Sequence, residues 1–145
     1  MADVIVYGNF VGDLISQDTN WDSDTIKVAL VEDTYTPNQN GHDSWSDVEG
    51  DEASGTGYTA GGATLGSKTS SYDSNVHTLD AADVSWTSST ITARYGVLYV
   101  EGGTPGDSPL IAYVDFGENK SSSDGTFQIS WGANGIITFT VPTPA

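Results

Sequence analysis

The stretch Asp80 to Tyr99, DAADVSWTSSTITARYGVLY, decides the fold class. Val84 to Trp86 and the run that begins at Thr90 and extends to Val100 are rich in β-branched and aromatic residues, the composition of strands. The polar triplet Thr87-Ser88-Ser89 between them reads as a turn. Just upstream, SGTGYTAGGATL (Ser54 to Leu65) reads as a Gly/Thr turn cluster leading into a strand.

Outward from this centre the strand signals continue. Thr25 to Val31 alternates, with Ile26, Val28 and Leu30 on one face and Lys27, Ala29 and Val31 on the other. Leu110 to Phe116, Phe127 to Trp131 and Ile136 to Val141 are further strands, and Ala63 to Ser70 and Val76 to Leu79 are weaker ones. Asp124-Gly125, Asn134-Gly135 and the run Gly102-Gly103-Thr104-Pro105-Gly106 supply the residues that chain reversals need. About eight strands in one domain, residues 1–145, predict an all-β fold, an antiparallel β-sandwich of jelly-roll-like type. Phe10, Val11, Leu14 and Ile15 share a helical face and predict one short N-terminal helix within Gly8 to Gln17. Glu32 to Gly57 is the longest irregular stretch, and loops of that length are usually functional or mobile.

Charge narrows the partners. Twenty acidic residues against four basic ones give a formal net charge of −16. Lys27, Lys68, Arg94 and Lys120 are scattered, whereas phosphate neutralisation requires clustered cations. Neither nucleic acid nor an anionic membrane is an expected partner. No apolar run approaches the ~20 residues of a spanning helix, and Asp3 stands where a signal peptide would be basic. The absence of cysteine excludes disulfides and thiolate zinc sites.

No catalytic or metal constellation emerges. Asp18, Asn20, Asp22 and Asp24 alternate as an EF-hand loop begins, but Ser23 and Ala29 occupy the positions that require Gly and Glu. These acids are therefore expected to cap turns. His42 and His77 lack converging ligands in the sequence, and His77 is expected to point outward from a strand. There is no GxSxG elbow, no phosphate-binding loop and no carboxylate pair singled out by spacing. No cofactor is expected. Trp86 and Trp131 read as strand-face or core residues. Trp21, Trp45 and Tyr35 lie in polar loops, where an aromatic either folds back as a lid or anchors a partner. The loop Thr34 to Gly50, through Tyr35, His42 and Trp45, is the candidate partner-facing surface.

Several blocks resemble a known group. They are SDTIKVAL (Ser23 to Leu30), DTYTP (Asp33 to Pro37), SGTGYTAGGATL, DVSW (Asp83 to Trp86), ARY (Ala93 to Tyr95), PLIAYVDF (Pro109 to Phe116) and GTFQISW (Gly125 to Trp131). Their order resembles small virion structural proteins of tailed bacteriophages, over about Tyr7 to Val141. The resemblance implies a non-enzymatic particle component located in the virion. The leading expectation is a capsid decoration or cement protein that binds the major capsid protein or other virion proteins as a homo-oligomer, with a trimer favoured. The alternatives are a tail, head-fibre or adaptor component and, in a different class, a carbohydrate-binding β-sandwich whose loop aromatics stack on sugars. A small hydrolase comes last. Within the matched blocks Arg94 is the one cation outside the first, and a buried structural ion pair is its expected role.

Overall fold

A computed structural model describes residues 3–144. The chain runs through β1 (Asp3–Val6), α1 (Phe10–Ser16), β2 (Ile26–Val31), β3 (Ala63–Thr64), β4 (Thr69–Asp73), β5 (Val76–Asp80), β6 (Val84–Val100), β7 (Leu110–Ile129) and β8 (Ile137–Thr140). Two antiparallel sheets result, one ordered β1-β7-β6-β2-β3 and the other β4-β5-β8. Side chains from both, including Val28, Leu98 and Val114 of the first and Leu79 and Ile137 of the second, meet in one core. The protein is an all-β sandwich.

The dominant element is the hairpin of β6 and β7, joined by a loop in which Pro105 to Asp107 forms a 3-10 turn. The triplet Thr87-Ser88-Ser89 is not a turn between strands. It is a bulge inside β6, with Ser88 at φ 48°. Ser89 is fully buried, and its hydroxyl donates to the Trp86 carbonyl at 2.9 Å, so the polar residue is satisfied within the kink. Asp124-Gly125 likewise sits within β7 and ends no loop. The segment between Phe116 and Phe127 is polar because it is strand with exposed side chains, and polarity alone does not separate such a strand from a loop.

This ribbon folds over on itself. Ala93 pairs with Lys120 and Tyr95 with Asp115, so Arg94 faces four residues of β7, Phe116 to Asn119. Gly117 takes φ 82° at this corner. Asp115 pins it: one carboxylate oxygen accepts from Arg94 Nε at 2.9 Å and from the Gly117 amide at 2.8 Å. The Arg94 bond holds the Asp115 carboxyl below the usual carboxylate range. Arg94 is thus in a structural ion pair, but the side chains are 31% and 34% exposed and the pair is not buried. A corner projects its charges outward, which is why the expected burial of the pair does not occur.

Beyond the corner, Ile129 reaches Gly96, whose missing side chain leaves 3.1 Å between an ideal Cβ and the Ile129 Cδ1. Gly62 is a position where the fold requires glycine more strictly. At φ 86°, a Cβ there would lie 2.0 Å from the Val28 carbonyl oxygen. Strand β3 can therefore run against β2 only without a side chain at this position.

The five-stranded sheet is covered on both faces. Ile26, Val28 and Leu30 enter the sandwich core, while Ala29, Val31, Val97 and Tyr99 enter a second cluster with Tyr35, Trp45 and Val48. The segment Glu32 to Ala53 is the cover of that second face. Two 3-10 turns, Trp45–Asp47 and Glu49–Asp51, shape it, and Ser44 and Asp47 form a capping box. Backbone bridges tie it down, Val31 with Glu52 at its ends and Ser44 with Pro109 at its middle.

The short helix occurs as expected, yet its apolar stripe is narrower than the spacing implied. Phe10 is buried and stacks against Phe139 at 6.3 Å, whereas Val11 and Ile15 are 46% and 78% exposed. Seven residues provide less than two full turns, so only one edge can face the core.

Candidate functional site

The three residues singled out from sequence, Tyr35, His42 and Trp45, do come together, on the inner side of the cover. Tyr35 is 2% exposed and Trp45 5%. Trp45 stacks on Tyr99 with ring centroids 4.5 Å apart and planes 9° from parallel. Tyr35 meets Tyr95 edge-on at 5.7 Å and lies against His42 at 5.5 Å. Neither buried ring can offer its face to a partner or a sugar, which corrects the expectation of a partner-facing surface built on Tyr35 and Trp45. The physical reason is the sheet beneath. A sheet whose second face carries Val31, Val97 and Tyr99 needs apolar material on it, and the loop aromatics supply it.

A chain of polar atoms crosses this cluster. The hydroxyls of Tyr7 and Tyr35 are 2.8 Å apart, and the Tyr35 hydroxyl is 2.9 Å from His42 Nδ1. Burial pushes the Tyr7 phenol far above its ordinary range, helped by its hydrogen bond with the Tyr35 hydroxyl. Burial pushes Tyr35 up to about 12. Both remain neutral phenols near neutral pH, and the half-buried His42 ring closes the chain toward solvent. A second network ties Glu52 to the sheet: its carboxylate accepts from Tyr58 at 2.6 Å and from the Gly61 amide at 2.7 Å. Leu30 N–H donates to the same Tyr58 hydroxyl at 3.0 Å. These groups are mutually satisfied and hold the cover in place.

The remaining sequence candidates are structural in the same way. Trp21 donates to the Thr69 carbonyl at 3.1 Å, and Trp131 to that of Ala82 at 3.0 Å, so each fixes a loop to the core. In the acidic run, Asn20 accepts from the amides of Asp22 and Ser23, and Asp24 accepts from the Asn20 amide. These are the turn caps expected of them. Lys68 donates to the Asp24 carbonyl. His77 does not point outward. It is half-buried on the side of β5 that carries Leu79, with Nε2 2.9 Å from the Ser70 hydroxyl. Among the described residues, no three His, Asp or Glu side chains converge as metal ligands.

What sequence reasoning missed lies along β7. Between the two halves of the folded ribbon opens a cleft of about 600 Å³, with Val114, Phe116, Phe127 and Ile129 on its walls and Lys120 and Gln128 at its rim. Among the described residues, strand β1 pairs with β7 from Ala112 to Asp115. From Phe116 onward the outer edge of β7 carries no strand among the described residues. The sequence signal was the alternation Phe127-Gln128-Ile129, which predicts a half-buried strand but says nothing about which edge it occupies. Searches with the chain found no matching family model, no matching curated protein and no matching solved structure.

Proposed function

We propose that this protein is a non-enzymatic structural component of a tailed-bacteriophage particle, a decoration or cement protein that binds and stabilises the assembled head shell. The observation that carries this reading is where the resembling blocks fall. SDTIKVAL leads into and forms most of β2, SGTGYTAGGATL ends in β3, and DVSW, ARY, PLIAYVDF and GTFQISW trace the folded ribbon of β6 and β7. The likeness therefore falls largely on the framework of the sandwich, with DTYTP and the first part of SGTGYTAGGATL in the loops beside it.

Two physical features support it. The loop aromatics that a carbohydrate-binding module would expose are spent on covering the sheet. The chain of phenols and His42 links groups that already satisfy one another, which suits a rigid body that works through its surface. A protein that binds only the assembled shell stabilises it by mass action, by RT ln(1 + [L]/Kd). Contacts to several neighbouring subunits, or trimerisation on the shell, would add avidity without chemistry.

The test is the copy number in purified particles relative to the major capsid protein. Hundreds of copies are expected. A count near six, twelve or a few tens would move the protein to the tail, vertices or fibres. Its absence from particles would overturn the structural reading.

A further inference from the structure

We propose that the free edge of β7 from Gly125 to Ile129, together with the cleft beside it, accepts an extended β-segment of another particle protein as an added strand. The inference rests on the particle reading above and names the kind of contact it would use.

The first observation is the edge itself. An exposed strand edge presents unpaired N–H and C=O groups at alternate residues, and proteins normally blunt such edges with charge, bulges, Pro or brevity. The outermost strands of the two sheets are short, and the outer edge of β6 before Tyr95 is interrupted by the bulge at Thr87 to Ser89 and bridged by Thr56 at Thr90. β1 begins at Asp3 and β4 ends at Asp73; β3 has two residues; β8 has four and is followed by Val141 and Pro142. On β7 the bulge at Ser123-Asp124 and the charge of Lys120 stop short of the segment Gly125-Thr-Phe-Gln-Ile129. That segment is uncharged and has no Pro; Thr126 lies opposite the β6 bulge, and Phe127 to Ile129 pair regularly with β6 through Trp86↔Phe127, Ser85↔Gln128 and Val84↔Ile129. The backbone is thus held extended and ready to pair.

The second observation is the cleft. A strand laid along Thr126 to Ser130 would direct alternate side chains toward a mouth walled by Val114, Phe116, Phe127 and Ile129. Main-chain bonds would supply affinity and that mouth would select apolar side chains at every second position, as in other strand-addition interfaces.

Charge chooses among occupants. Each copy carries −16, so pairing two copies edge to edge brings two strongly negative bodies together. The one cation at the rim, Lys120, is neutralised by Glu118 at 2.8 Å. Asp124 stands at the start of the edge. An uncharged segment with basic flanks fits, whereas an acidic one or a second copy is repelled.

Hydrogen exchange tests this on the intact protein, free and on particles. Protection of alternate amides within Gly125 to Ile129 by tenfold or more on the particle is expected. A double variant, Thr126→Lys with Gln128→Lys, alters exposed side chains only. It should melt within a few degrees of the parent yet lose tenfold or more in attachment to particles lacking the protein. Parent attachment should weaken as salt rises. Unchanged exchange at the edge with protection elsewhere would overturn the strand-addition contact and leave the particle reading standing. Edge protection in the free protein that grows with concentration would show self-pairing and overturn the proposed partner. Absence of the protein from particles would overturn both readings.

Discussion

The rings of Phe116 and Phe127 lie 6.0 Å apart although both belong to β7. A straight strand would separate them by about 36 Å at ~3.3 Å per residue. The contact is a measure of how completely the ribbon doubles over, and it makes Phe127 a joint between the two layers. Phe127 also meets Trp86 edge-on at 6.1 Å. Phe127→Ala should cost about 3–5 kcal/mol in chemical denaturation. Phe116 is only half-buried at the cleft, so Phe116→Ala should cost clearly less. Equal costs would mean that the cleft is closed in solution.

The cover over the second face of the large sheet depends on Trp45. Removing its ring loses the stack on Tyr99 as well as buried apolar area, and Trp45→Ala should cost about 3–5 kcal/mol. The damage should be local first. Limited proteolysis should begin between residues 36 and 44 in the variant, while the amides of β6 and β7 keep their exchange protection.

Glycine replacements separate strain from collision. Gly117 has a positive φ but nothing within 4 Å of an added Cβ, so Gly117→Ala should carry only the left-handed backbone penalty of about 1–2 kcal/mol. At Gly62 the same positive φ is joined by a Cβ 2.0 Å from the Val28 carbonyl oxygen, and β3 would have to leave β2. Gly62→Ala should therefore destabilise at least twice as much. Thermal unfolding of the two variants side by side decides this.

Alkaline pH should weaken the fold. Burial raises the phenols of Tyr7, Tyr35, Tyr58, Tyr99 and Tyr113. A group whose folded pKa exceeds its unfolded value gives stability that is fully present below the unfolded pKa, about 10 for tyrosine. That stability is lost as pH rises toward the folded values, about 12 for Tyr35. Denaturation midpoints should fall steadily above pH 10, and the phenolate absorbance of these five tyrosines should appear in one cooperative step with unfolding. Early, non-cooperative ionisation of these five would show that the cover is open.

The alternation of Ile26, Val28 and Leu30 against Lys27, Ala29 and Val31 was legible because a strand's period of two is a local property. So were the reversals at Asn134-Gly135 and Gly102 to Gly106, whose residue types suit tight backbone geometry. Strand limits were less legible. Val84 to Trp86 and Thr90 to Val100 are one strand, as are Leu110 to Phe116 and Phe127 to Ile129. β1 was overlooked despite three β-branched residues in DVIV, and Ala63 to Ser70 divides between β3 and β4. The agreement in strand number thus conceals compensating differences, because a bulge and a turn draw on the same polar residues and only the pairing partner tells them apart.

For the site the division is sharper. Composition and charge by themselves determined an acidic, disulfide-free chain of alternating strands, because charge and periodicity are written residue by residue. Which aromatics are hidden and which edge is bare was decided only by the tertiary structure. Tyr35 and Trp45 are buried because a sheet remote in sequence needed its second face covered. Among the described residues the edge at Gly125 to Ile129 has no strand beside it, because the corner at Arg94 turns this half of β7 away from the part that pairs with β1.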